Sequence, residues 1–214
     1  MNAPGSTPSD ADAAAEDGAR AWEGAALRLL DDPYVFASVG PRLRPDWAED
    51  VLAVLRREHA DPRGWAGLDW DRDGEERAAA GPSFPFRADL TAAAVPATLY
   101  PLERAAATDL LASFTQEWTF ETAPLYGRPA AALEAVREDA RTLLRRFDGG
   151  GTGVEGASPA YWTTSPAART SARPDFLRER LAGGGARWTD YLEELGLVVV
   201  SAAEVGVFWS FNAQ

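Results

Sequence analysis

A chain of 214 residues, 46% apolar and 25% charged, has the composition of a globular protein of one domain, or of one domain with a small appendage. It has no cysteine, which excludes disulfides and thiolate metal sites. Its net charge of −12 disfavours a nucleic-acid ligand, because phosphate contacts need cations, and suits a basic protein partner.

All 21 basic residues are arginine, and lysine and isoleucine are both missing. With abundant Ala, Gly and Pro, this points to a GC-rich bacterial genome of the actinobacterial kind. Arginine here therefore replaces ordinary surface lysine and does not by itself mark bidentate recognition. The first residues carry no basic segment followed by an apolar run, and no stretch of about 18 apolar residues occurs. A cytoplasmic location and no membrane contact are expected.

Residues 1–18 are mostly Ala, Ser, Pro, Gly, Asp and Glu and read as a disordered acidic tail, leaving 19–214 as the globular part. Ala19 to Leu30 reads as a helix with Trp22, Leu27 and Leu30 inward, stopped at Asp31-Asp32-Pro33. Arg44-Pro45-Asp46 opens a second helix whose apolar stripe is Trp47, Val51, Leu52 and Leu55, ending at Asp61-Pro62. Gly64 to Pro85 reads as loop, Ala97 to Leu102 as a strand, and Glu103 to Phe114 as a helix with Ala106, Leu110 and Phe114 four apart.

Glu117 to Thr122 alternates polar and aromatic residues, as a half-buried strand does, with a continued helix as the competing reading. Arg128 to Phe147 has Pro129 at its start and Gly149 past its end, and Leu133, Val136, Leu143, Leu144 and Phe147 form its buried face. The Gly-, Ser- and Thr-rich stretch 149–173 reads as a flexible connection, and helices are expected at Pro174–Leu181 and Arg187–Leu195.

The chain ends in its most apolar segment, Leu195–Val200, Ser201–Glu204 and Val205–Phe211, which reads as two strands joined by a short turn. Val207, Trp209 and Phe211 share one face of the last strand, and Gly206, Phe208 and Ser210 share the other. An aromatic on each face predicts a strand covered on both sides. The fold class implied is α+β: a small, mainly antiparallel sheet that includes this hairpin, with several helices on one side.

Asp69-Trp70-Asp71-Arg72-Asp73-Gly74 matches the first half of an EF-hand-type calcium loop, with Asp69, Asp71 and Asp73 as ligands. The twelfth position, where a bidentate Glu belongs, is Ala80, so an acidic surface turn is the expected reading and calcium the alternative; no other cofactor is expected. His59 is the only histidine, which rules out histidine-rich zinc sites. Placed at a helix end on the Leu55 side, it reads as structural first and as a general base second. No Gly-x-Ser-x-Gly elbow and no phosphate-cradling loop occurs, and Gly149–Gly153 follows a helix, as a hinge does.

Glu117 and Glu121 flank Trp118 and Phe120 and form a candidate carboxylate pair beside aromatic walls. Trp65, Trp70, Tyr161 and Trp162 lie in polar stretches, where aromatic residues serve a protein interface or an apolar ligand pocket, or cover the edge of a core. Together these features predict a non-enzymatic interaction protein: an inhibitor, immunity-type or regulatory partner of a basic protein. The alternative is a small enzyme or ligand-binding protein of specialised metabolism, with an aromatic pocket for a small apolar ligand and carboxylate acid/base groups.

Overall fold

The C-terminal hairpin forms where the sequence places it. In the computed structural model, which describes residues 10–30, 34–65, 67–69, 75–115, 128–148, 158–177, 187–191 and 193–212, it is built from β4 (Glu193–Val200) and β5 (Glu204–Asn212). The turn is fixed by Ser201, whose Oγ accepts from Glu204 N at 2.9 Å and from Ala203 N at 3.3 Å. Three more strands join this hairpin: β1 (Val35–Pro41), β2 (Tyr100–Leu102) and β3 (Ala160–Thr163). The order across the five-stranded sheet is β1-β5-β4-β3-β2, and every neighbouring pair is antiparallel.

Helices cover both faces, not one. α1 (Asp10–Leu30), α5 (Arg104–Ser113) and α6 (Ala130–Arg145) bring Trp22, Leu30, Leu110, Leu111, Leu143 and Leu144 onto the face that carries Val199 and Phe208. α2 (Trp47–Leu55), α4 (Ala94–Ala97) and the segment around Phe86 and Trp188 cover the face that carries Val198, Val207, Trp209 and Phe211. β5 is thus covered on both sides, as its two aromatic faces predicted. Each large apolar side chain so buried contributes about 1.5–3 kcal/mol. α3 (Glu75–Ala80) lies within the stretch expected to be loop.

Both sheet edges carry features that hinder further pairing. β1 is bridged by Leu68, which exchanges backbone hydrogen bonds of 2.7 and 2.9 Å with Ala37. The outer strand β2 is three residues long and carries Pro101, which has no N–H to donate.

α2 shows how local chemistry sets a boundary. The Asp46 carboxylate caps its first turn by accepting from Ala48 N at 3.0 Å. At the other end Arg57 N bonds Val54 O, Glu58 N bonds Ala53 O, and Arg57 has φ 55°, a Schellman stop made by a residue other than glycine. The Arg57 side chain explains the choice: it grips Asp69 with bonds of 2.7 and 2.9 Å and lies over the Phe36 ring at 5.3 Å.

Several expectations are corrected. α1 begins at Asp10, so residues 10–18 of the expected tail are helical; alternating Ala and acids suit a helix N-terminus. Within α1, Leu27 is 51% exposed, and Ala25, Ala26 and Leu29 fill the inward stripe. The stretch 149–173 is not one long connection, because it contains β3 and a 3₁₀ turn at Pro166–Arg169. Thr163 explains part of this: its Oγ1 donates to Gly196 O at 2.8 Å, tying the polar stretch to β4. Arg187–Leu195 is not a helix; Thr189 bridges Phe86, and β4 starts at Glu193. Of Pro174–Leu181 the described residues, 174–177, are non-helical. The Glu117–Thr122 strand lies outside the described residues, as do residues 1–9 and 149–157.

Candidate functional site

The face of the sheet under α2 gathers four tryptophans into two stacked pairs. Trp188 lies on Trp209 with ring centroids 4.6 Å apart and planes 23° apart. Trp47, the first residue of α2, lies on Trp162 of β3 at 5.6 Å and 18°. Phe86 meets Trp209 and Phe36 edge-on, at 5.7 and 4.9 Å, and Tyr191 stacks on Phe211 at 5.1 Å. The backbone makes room for this array at Gly196: a Cβ there would fall 2.0 Å from the Trp209 ring. Trp188 and Trp209 are fully buried, whereas Trp47, Trp162 and Tyr191 reach the surface.

One carboxylate stands in this aromatic layer. Glu194 of β4 is 6% exposed and accepts from Trp188 N, from Thr189 N at 2.8 Å, and from Thr189 Oγ1. The Trp209 indole steadies its charge from outside hydrogen-bonding geometry. Burial pushes the Glu194 carboxyl above the usual carboxylate range, and the hydrogen bonds from Thr189 and Trp188 pull the other way without winning.

The other buried acids are handled differently. Asp50 accepts from Arg42 Nη1 at 3.1 Å and Arg44 Nη1 at 3.4 Å. Glu204 is held by Arg63 (3.0 and 3.1 Å) and by Arg146 (2.8 and 3.1 Å), while Arg146 also forks onto Asp61 at 2.6 and 2.8 Å. No guanidinium is paired with Glu194 among the described residues.

The residues singled out from sequence fall into three groups. Trp162 belongs to the aromatic layer. Trp65 and Tyr161 lie away from that layer: Arg146 and Arg63 lie over the Trp65 ring at 4.7 and 5.1 Å, and Tyr161 is 5% exposed on the opposite face of β3, toward α5 and α6. Trp70, Asp71, Asp73, Glu117 and Glu121 lie outside the described residues. Asp69 gives both carboxylate oxygens to Arg57. Among the described residues, no three His, Asp or Glu side chains group as a metal cage. His59 does not end a helix on the Leu55 side; α2 stops at Leu55, and His59 is exposed four residues on.

Glu194, Trp47, Trp188 and Trp209 were not singled out from sequence as site residues. A signal for Glu194 existed: in a strand it shares a face with Gly196 and Val198, so starting β4 two residues earlier puts a carboxylate on the buried side. The helical reading of 187–195 hid it.

Fold and site together define an α+β protein with a sheet covered on both faces and an aromatic layer, opening at Trp47 and Trp162, around one buried acid. No protein-family model matches the chain, and no curated protein or solved structure matches it. No helix among the described residues is long and apolar enough to cross a membrane.

Proposed function

We propose that the protein is a non-enzymatic binding protein for a basic protein partner, and that the partner docks where Trp47 and Trp162 reach the surface. The observation that carries this reading is the way arginine is used. Arg28, Arg57, Arg104, Arg137 and Arg146 each fork onto a carboxylate of the chain itself. These cations are spent internally, and the chain keeps a net charge of −12 to attract a cationic surface. An inhibitor, immunity-type or regulatory role in a bacterial cytoplasm fits this chemistry.

Affinity capture from the native host tests it. A stoichiometric, basic, salt-sensitive partner is expected, and Trp47→Ala/Trp162→Ala should lose it. Recovery of no such partner, or undiminished capture by the double variant, overturns the reading.

One observation favours a second reading, a small enzyme or ligand-binding protein. Glu194 is a carboxylate of raised proton affinity among aromatic rings, which is how general acids are made. Native mass spectrometry distinguishes the two: a retained small molecule that is lost in Glu194→Gln supports the enzyme, and a protein partner supports the first reading.

A further inference from the structure

Residues Arg187 to Tyr191 have no regular secondary structure beyond the single bridge from Thr189 to Phe86. The segment nevertheless buries Trp188 completely. Tyr191 at its end stacks on Phe211 at 5.1 Å, and Trp188 is held by contacts of its own. Trp188 O accepts from Arg87 N at 2.8 Å, and Trp188 Nε1 donates to Thr98 Oγ1 at 2.8 Å. The Trp188 ring lies on Trp209. The remaining side-chain fastening to β4 is the Glu194 carboxylate, which takes the Trp188 and Thr189 amides and the Thr189 hydroxyl together.

We propose that Glu194 is a proton-operated clasp: gain or loss of a proton on its carboxyl sets how firmly the segment 187–191 closes Trp188 over the Trp209 face of the sheet.

The surroundings make this carboxyl unusually sensitive. All three groups bonded to it are donors, and the bonds they make to a charged oxygen do not replace the cation that Asp50 and Glu204 each have. Charged groups lie on several of the elements around it. The segment carrying Phe86 presents Arg87 and Asp89, which bond each other at 3.0 and 2.8 Å, and Glu194 is a minor contributor to the raised proton affinity of Arg87, after Asp89. The clasp segment itself carries Arg187 and Asp190, both exposed, and the phenol of Tyr191. On β4, Glu193 faces the other way and accepts from Asn212 Nδ2 at 3.1 Å. β5 has no ionisable side chain from Val205 to Asn212. α2 carries Glu49 and Asp50 in its first turn, both tied to Arg44.

The sign follows from burial. The folded protein holds the Glu194 proton more tightly than the unfolded chain, whose glutamate titrates near about pH 4.3. The stability Glu194 contributes is therefore fully present below that value and is lost as pH rises through the folded value. Acid closes the clasp, and the approach to neutral pH loosens it. Opening that releases Glu194 to water is favoured by roughly tenfold for each pH unit separating the two values.

The test is an NMR titration of the full chain. The Glu194 carboxyl carbon and the Trp188 and Trp209 indole N–H resonances should share one midpoint above the ordinary carboxylate range. Protection of the Trp188 and Thr189 amides from exchange should fall, beyond the intrinsic base dependence, as pH rises through that midpoint. Thr189→Ala removes one donor to the charged oxygen and should move the midpoint higher. In Glu194→Gln the indole resonances should no longer share a step. A Glu194 midpoint at or below the ordinary range in the wild-type chain overturns the proposal, whether or not the glutamine variant folds. So does an unchanged indole step in a folded Glu194→Gln.

Discussion

Gly196 is where the packing argument is most exposed to test. It lies opposite Trp209 across the β4–β5 ladder, and a methyl group there would sit 2.0 Å from Cζ3 and 2.3 Å from Cε3 and Cη2 of that indole. Carbon atoms rest about 3.5–4.0 Å apart, so Gly196→Ala asks the ring to withdraw by roughly 1.5–2 Å. Trp188 blocks the retreat from above at 4.6 Å, Phe86 from the side at 5.7 Å, and Phe36 is the partner across the next ladder. Overpacking of this kind ordinarily costs about 1–3 kcal/mol, and moving Trp188 off its stack puts this case at the upper end. Loss of glycine's freedom in the unfolded chain returns about 0.5–1 kcal/mol. The expected net loss is about 2 kcal/mol, or roughly 4–8 °C in Tm for a chain of this length. Urea unfolding and calorimetry measure it. In a Trp209→Leu background the obstacle is gone, and the same substitution should cost at least about 1 kcal/mol less. A Gly196→Ala protein within about 0.5 kcal/mol of wild type, or an equal cost in both backgrounds, refutes the account.

Two further outcomes are expected from the opposite face. Arg146→Met takes the fork from the partly buried Asp61 and leaves the buried Glu204 with only Arg63, so equilibrium unfolding should show a loss of about 3–5 kcal/mol, and Arg146→Lys should recover only part of it because an ammonium cannot fork onto both acids. Tyr161 has a buried hydroxyl with no hydrogen-bond partner among the described residues, so Tyr161→Phe should leave stability unchanged or raise it by up to about 1 kcal/mol. Burial also holds its phenol above the usual value, so its contribution is full below about pH 10 and lost as pH rises through the folded value. Ultraviolet phenolate titration should show one of the five tyrosines ionising late, a step that Tyr161→Phe removes.

The hairpin was legible because its signal is local. β4 and β5 are adjacent in the chain, apolar on both faces, and joined by a serine-anchored turn. The helix at Ala130–Arg145 was legible for the same reason, with Pro129 before it and a 3.6-residue stripe within it. β1 and β3 were not, and the cause is physical in each case. β1 pairs with β5, far along the chain, so its short run from Val35 to Pro41 is held by a partner the local pattern does not contain. β3 looks like a loop because Ala160 and Thr163 are small or polar, yet Thr163 and Thr164 exchange side-chain hydrogen bonds with the Gly196 backbone, which stitches the strand to β4. The site was half legible. Trp162 was chosen for its aromatic ring in a polar stretch and does line the aromatic layer, whereas Tyr161 beside it points the other way, as alternation along a strand requires. Glu194 was missed because Trp188, Tyr191, Leu192 and Leu195 also fit helical spacing, and a tertiary bond to Thr189 overrides that pattern.

The surface charge and the unpaired interior acid share one root. A chain without lysine must make all its cations forks, and a fork finds carboxylates, so acids such as Asp109, Asp139 and Asp148 are claimed by guanidinium groups of the chain itself. That habit extends into the interior, where Asp50 and Glu204 are each met by two arginines. Two consequences follow. Outside, the formal net charge of −12 is of the sign that a basic partner would feel and that added salt would screen. Inside, among the described residues, Glu194 is the buried acid to which the habit does not extend, and amides with a hydroxyl stand where a fork would be. A carboxylate so placed is held by groups that can let go, which is why the same residue underlies both the acid/base reading and the clasp.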